Sequence, residues 1–528
     1  MLPDMADDLI GKYVSSWKVW QLPPTAGLIL PLLRQLGIAR TVDRHCPIRP
    51  QAELTHGQVV EAMLLHILQD NRRLPLYKFD HWARRYHLEL LYDCDPGAFN
   101  DDRLARALDA LAPAVAGIQA QIVTDILRRY KLPVRAVHWD LTHVSFTGAY
   151  EDSALIEAGY GHSTLHQKQI KLSLHVDSDS GLPLSYKALP GATNQTPLAP
   201  GFLGQLQRQL GRSDLIVIAD RAGLSYDNIV CYERSGARFI APLQATPAEA
   251  AAMAAPPLEA FEPLSYRSQS KPHETFSYHA MTLSLTRQKQ SQTLPVQALI
   301  IHSSQKQRDD QEKRDKALAR TLEELEKVRG YLNKAQYARR AYAEEKLAKK
   351  IPPALKDVVR WQLSGPDKQL SLQYEVAPQA LAEAARSDGR YLLLHNLGDS
   401  SPDEIFALFK RQYVIESRFR NFKSDLRVNP FWLHKDHRIE ALLLVFVLAL
   451  MLYSLLDLLS ERAGLESQWY HKLTARAMLE VFDYTTLQEL RLIDHPPRYK
   501  LELSEQQREI IEALGLPEPE RLLNLPKS

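Results

Sequence analysis

The spacing of apolar residues changes character several times along the 528-residue chain. Up to about residue 130 it is helical. Val59, Val60, Met63, Leu64, Ile67 and Leu68 recur behind Thr55, and Leu104, Ala107, Leu108 and Leu111 share a face behind Asn100. Thr55 with Gln58 three residues on has the form of a capping box, in which two side chains reciprocally satisfy backbone N–H groups at a helix start. Beyond Pro133 the period drops to two. Residues 134–146 (VRAVHWDLTHVSF), 169–177 and 182–188 predict three antiparallel strands, the last two joined by an SDSG turn. A helix over about 200–210, the apolar strand 215–220 (LIVIAD), a helix over about 225–235 and a short strand over 238–242 follow. Three antiparallel strands and then alternating helix and strand is the order of an α/β, RNase H-like fold.

From about 244 to 295 the pattern loosens into Ala- and Pro-rich, then Thr- and Ser-rich sequence. Residues 306–350 read as a charged helical tract with Leu318, Leu322, Leu325 and Val328 as its seam: a solvated hairpin by default, or an arm lying on DNA. Residues 361–376 and 390–396 predict further strands. The organisation expected is a helical N-terminal DNA-binding or dimerisation region (1–130), a first catalytic part (131–243), an inserted subdomain (244–390), a second catalytic part (391–460) and a helical C-terminal region (461–528). The uncharged run 441–456 is shorter than the roughly 20 residues a bilayer core demands, so a buried helix is expected there and no membrane partner.

The stretch 409–426 (FKRQYVIESRFRNFKSDL) lacks Gly and Pro and predicts one continuous helix, with Ile415, Phe419 and Phe422 as its apolar stripe. A 3.6-residue repeat carries Gln412, Arg420 and Lys423 onto the face of Glu416. An ordinary surface helix with i,i+4 ion pairing would look the same.

Charge adds a local bias. The net charge is only +2, but residues 410–438 hold eight Lys/Arg against three Asp/Glu, and 306–350 hold fourteen against nine. Basic stripes in a nearly neutral chain suit a groove that follows phosphates. Arg72, Arg73, Arg84, Arg85, Trp82 and Tyr86 add a cluster suited to DNA contact or to scattered surface roles. Three separated cysteines, with no C-x-x-C pair, exclude a disulfide framework and a zinc knuckle and fit a reducing cytoplasm.

Asp140 lies on the first strand, Asp220 ends the apolar one, and Glu416 rides a basic helix. Each has a plain structural reading, as a strand-end cap, a turn former or a partner of Arg420. Converging, they would repel one another unless a divalent cation lay between them. Hard oxygen ligands suit Mg²⁺ or Mn²⁺, and two such ions can activate a nucleophile and stabilise the leaving oxygen of a phosphodiester.

With these residues in view, most of the chain resembles the DDE transposases of bacterial insertion sequences, in the insertion-sequence-4-like superfamily and its insertion-sequence-1634 branch. WDLTHVSFTG around Asp140, GLPLSYKALPGATNQ, IADRAGLS around Asp220 and the long run from SDGRYLLLHN through FKSDL carry the likeness. The resemblance implies a metal-binding triad of Asp140, Asp220 and Glu416, with Mg²⁺ or Mn²⁺, two ions in all. The signature Y-x2-R-x3-E-x6-K falls on Phe409, Gln412, Glu416 and Lys423, so Tyr and Arg are replaced. Arg411, Arg418 and Arg420 are candidates for the missing DNA-contacting cation. Cut-and-paste movement of DNA is implied, by a homodimer or larger synaptic complex on inverted-repeat ends and target DNA in the bacterial cytoplasm and nucleoid. A stand-alone metal-dependent nuclease and a catalytically silent DNA-binding descendant are the rival readings.

Overall fold

The computed structural model describes residues 14–69, 76–159, 167–194, 199–220, 224–268, 270–287, 292–428, 433–466, 472–493 and 497–519. The chain divides into two compact units: one of residues 1–218, 234–237 and 411–528, the other of 219–233 and 238–410.

In the first unit, strand β1 (Val14–Leu22) leads into a helical layer. The helix His56–Leu68 opens on the expected capping box, with Thr55 accepting from the Gln58 N–H and Gln58 from that of Thr55, and Asn100 caps Asp101–Leu111. These helices pack round the 28-residue helix Asp436–Ala463, whose side chains from Ala441 to Leu456 are all buried. That helix is apolar and long enough for a bilayer, yet here it is the core of the unit.

Strands β2 (Ala136–Ser145), β3 (Glu157–Gly159), β4 (Gln167–Asp177), β5 (Pro183–Pro190) and β6 (Ile216–Ala219) follow. β4 pairs antiparallel with β2, β3 and β5. β6 lies on the other side of β2, and the Ile216 N–H bonds the Arg135 carbonyl where both strands begin, so the two run parallel. The order β5–β4–β2–β6, third–second–first–fourth in the core sheet, is the RNase H-like arrangement, in a mixed α/β fold.

The second unit holds β7 (Arg238–Leu243), β8 (Glu262–Pro263), β9 (Phe276–Arg287), β10 (Gln292–Ser303), the hairpin β11 (Val359–Ser364) and β12 (Ser371–Val376), and β13 (Arg390–His395). β7, β13, β10, β9 and β8 are consecutive antiparallel neighbours. One expectation needs correction here. The stretch read as irregular forms the two 12-residue strands β9 and β10. Their cross-strand partners, not strong alternation within each strand, define them. β13, expected to open the second catalytic part, is bonded to β7 on one side and to β10 on the other, and the unit boundary falls at Lys410. The charged tract forms the helices Ser304–Tyr331 and Arg340–Lys350, whose Leu325, Val328, Ala343 and Leu347 share a core with the β11–β12 hairpin.

β14 (Thr485–Leu492) and β15 (Arg498–Glu502) return to the first unit, where β14 pairs antiparallel with both β1 and β15. The terminal regions are therefore not wholly helical as expected. A strand near each end finds its partner more than 400 residues away, which local periodicity cannot register. The aromatics of the proposed N-terminal DNA cluster are also corrected. Trp82 and Tyr86 are buried, with Trp82 donating to Gln69 and packing on His66 and Phe79. Arg84 and Arg85 are exposed, while Arg72 and Arg73 lie outside the described residues. All three cysteines are free.

Glu61 is fully buried on the helix His56–Leu68, 3.3 Å from Arg34. Burial pushes its carboxyl up to about 7 from an ordinary 4.5, against the pull of Arg34 and the Ala39 backbone. Between those values the folded state keeps a proton that the unfolded chain has released. Stability therefore falls as pH rises from about 4.5 to 7 and levels off above, a change on the order of 3 kcal/mol. Melting curves across this range are expected to lose most of that fall in Glu61→Gln; an unchanged fall would place its origin elsewhere.

Candidate active site

Asp140 sits mid-way along β2 opposite Leu174 of β4, on a strand mostly buried on both faces. Its Oδ1 accepts from the Leu141 N–H at 2.7 Å. The helix Tyr413–Arg420 packs against β2 and β4 and carries Glu416, exposed, while Val414 and Ile415 beside it are buried. Lys423 follows in the next turn. Burial lowers the pKa of its ammonium, and the charge of Asp140 raises it. Lys423 is exposed by area, but its ammonium is crowded enough by protein to lose hydration. Asp220 directly follows β6 in the second unit, where burial, Cys231 and Asp220 together push the Tyr232 hydroxyl upward. Residues 221–223 of the IADRAGLS motif lie outside the described residues.

The continuous helix expected over 409–426 is three segments. One helix ends at Lys410, Arg411 and Gln412 form a turn, Tyr413–Arg420 is α-helical, and Asn421–Asp425 is a π-turn. The turn coincides with an ion pair. Arg411 meets the Asp179 carboxylate at 2.9 Å and also donates to the Asp179 carbonyl at 3.3 Å. The π-turn is closed by the Leu426 N–H on the Asn421 carbonyl, five residues back. A wider turn there rotates Lys423 away from the face a 3.6-residue repeat assigns it.

A polar scaffold holds Glu416 in place. Arg418, 9% exposed, pairs with Asp457 of the central helix at 2.9 Å, and Asp457 also accepts from the Ala475 N–H. Asn421 donates to Asp425, as does the Tyr453 hydroxyl. The β4–β5 turn packs on the same guanidinium. Gly181 there has φ +67°, and a Cβ on it would lie 2.8 Å from Arg418 Nη2. The SDSG motif thus supplies both the carboxylate that meets Arg411 and the bare backbone that admits Arg418.

Residues 134–452 match the family described as Transposase DDE domain, about three-fifths of the chain. The chain belongs to the DDE transposases. Residues 24–123 of this transposase match a domain of unknown function, DUF4277. Among curated proteins none matches it. Its solved neighbours include the piggyBac transposase synaptic complex with hairpin DNA, at TM-score 0.37 and 9% identity over 96% of this chain and 87% of that one. They also include the Mos1 transposase paired-end complex, at TM-score 0.16 and 12% identity over 36% of this chain and 60% of that one.

The residues weighed as DNA contacts of the transposase divide sharply. Arg418 is corrected to a structural role, because a guanidinium buried against Asp457 cannot reach a phosphate. Arg411 is engaged by Asp179. Arg420 is exposed and donates to Ser417 at 3.2 Å, rather than to Glu416. Gln412 is half-buried at the head of the Glu416 helix. Phe409, at the signature Tyr position, stands in the second unit against the ring of Tyr391, 6.3 Å between centroids. Sequence reasoning missed Asp179, Gly181 and Asp457, and only the SDSG turn left a signal.

The buried pair carries a test. Arg418→Ala is expected to destabilise the transposase by about 3 kcal/mol or more, since it strands Asp457 without its cation. Arg420→Ala is expected to change stability by less than about 0.5 kcal/mol. Denaturant unfolding of the two variants separates them, and equal losses would refute the division.

Proposed function

We propose that this transposase cuts DNA at the ends of a mobile element and joins the freed ends to target DNA, with Asp140, Asp220 and Glu416 as ligands of Mg²⁺ or Mn²⁺, two ions in all. The observation that carries the reading is that the helix bearing Glu416 packs against β2, the strand that holds Asp140. Among the described residues no group of three or more His, Cys, Asp and Glu side chains is already drawn together as a metal site. The fit rests on donor chemistry: three carboxylates offer hard oxygens and no soft ligand, the set suited to these cations. When bound, the ions supply nucleophile activation and neutralise charge on the reacting phosphodiester.

The chain's own part is to position and to balance charge. Asp140 is held by its strand register, Glu416 by a helix pinned through Arg418, and Asp220 by the end of β6. Lys423 offsets negative charge on a phosphate next to the scissile one, and exposed Arg420 reaches the backbone beyond. Gln412 donates without carrying charge. Hydrolysis breaks the P–O3′ bond, leaving a 3′-OH and a 5′-phosphate. That hydroxyl then attacks a second phosphodiester, so one P–O bond forms as another breaks. No protein nucleophile takes part. Two element ends held together call for a dimer or larger assembly, and the insertion-sequence-4-like, insertion-sequence-1634-type branch would place the protein on bacterial nucleoid DNA.

Asp140→Asn, Asp220→Asn and Glu416→Gln are each expected to abolish cleavage of a cognate end while preserving end binding. Each should also lose the thermal stabilisation that Mn²⁺ confers on the wild type, a readout independent of turnover. Lys423→Ala should slow cleavage roughly 10-fold or more at saturating metal and equal DNA occupancy. A variant of any of the three acids that cuts at the wild-type rate removes that residue from the site. A wild type that binds ends but never cuts them would instead be a silent descendant.

A further inference from the structure

The three-stranded sheet of β1, β14 and β15 has two unlike faces. On one, Leu487 and Leu501 are buried against the unit and Glu489 takes the Trp20 indole N–H at 2.9 Å. The other face follows from the register. Trp17 stands opposite Leu490, which stands opposite Arg498; Val19 stands opposite Gln488, which stands opposite Lys500. Trp17 is 65% exposed and Val19 51%, and Arg498 and Lys500 are exposed too. These two rows contain no carboxylate. Among the described residues the nearest acid on the face is Glu502 in the next row, and it accepts from the Thr486 hydroxyl.

A tryptophan left in solvent beside two cations is costly to leave uncovered and well suited to one kind of ligand. Arg498 and Lys500 are two residues apart on one strand, about 6.8 Å, so each can take its own phosphate. Trp17 lies two strands across, about 10 Å away, where a base attached to that backbone can stack on the indole. We infer that this face is a DNA contact, and that it takes a single strand whose bases are unpaired. A duplex keeps its bases stacked inside and would leave the indole unused. A peptide edge would use the backbone rim of β1 rather than this face. The inference rests on the reading of the protein as a transposase working on DNA, and it adds a contact outside the DDE domain match.

The test uses the full-length protein, an oligo(dT) of about 16 nucleotides and a duplex of equal length, with anisotropy titrations at several salt concentrations. Trp17→Ala is expected to weaken oligo(dT) binding roughly 10-fold without changing its salt dependence, and to spare the duplex. Arg498→Glu with Lys500→Glu should weaken binding and reduce the slope of log K against log salt by about 1.4, two phosphates of a single strand. All three positions are exposed, and melting curves check that the variants fold. Unchanged affinity and slope in both variants would overturn the inference. So would a Trp17→Ala protein that loses self-association but binds oligo(dT) normally, since the face would then meet a second copy. In either case, a wild type that still cuts element ends leaves the transposase reading standing. A wild type that binds no DNA defeats both.

Discussion

The ion pair of Arg418 and Asp457 is the constraint on which the Glu416-bearing segment of this transposase depends. A guanidinium with so little exposure carries a large desolvation cost, repaid only if its carboxylate is held in register. Asp457 is so held, since it belongs to the buried helix Asp436–Ala463 and also caps the backbone at Ala475. Glu416 lies two residues before Arg418. Its position is therefore tied to the long buried helix at the core of the first unit as well as to the short helix it occupies. The β4–β5 turn closes the arrangement, because Gly181 leaves room for the same guanidinium and Asp179 binds Arg411.

The same set of contacts explains why the segment breaks where it does. Arg411 is drawn to Asp179, and the helix restarts two residues later. The π-turn after Arg420 lets Phe422 reach the core against Phe446 while leaving Lys423 near Asp140. A straight α-helix would keep Lys423 in line with Glu416 instead. π-turns of this kind recur at functional sites because they re-aim one side chain without ending the helix. The unit boundary at Lys410 also divides the signature positions: Phe409 belongs to the second unit, Gln412, Glu416 and Lys423 to the first. Phe409 packs its ring on Tyr391 without a hydroxyl to offer.

Much of the catalytic sheet is legible in the order of residues alone. Strands β2, β4, β5 and β6 announce themselves through alternation or unbroken apolar runs, and Thr55 and Asn100 mark helix starts through side-chain capping chemistry. These signals are local, so they survive in the sequence. The hairpin of β9 and β10 and the terminal sheet of β1, β14 and β15 leave a weaker trace: Leu283 and Leu285 alternate with exposed Ser284, and Leu501 with exposed Lys500 and Glu502, but the runs are short and each strand is stabilised mainly by a partner elsewhere. Trp82 and Tyr86 mislead for the opposite reason: composition cannot say whether an aromatic among arginines faces solvent or the core.

By itself, the sequence determined the α/β order of the catalytic domain, the buried nature of the 436–463 helix and the three acids worth testing. Periodicity, capping and residue chemistry act over a few neighbours, and all three can be read there. Only the tertiary structure decided which cations are engaged within the fold and which are left exposed. Arg411, Arg418, Arg420 and Lys423 lie within thirteen residues and carry the same charge, yet one is held by a turn, one is buried, one is exposed and one feels the charge of Asp140. The difference lies in Asp179, Asp457 and Asp140, carboxylates from distant parts of the chain that only folding brings near.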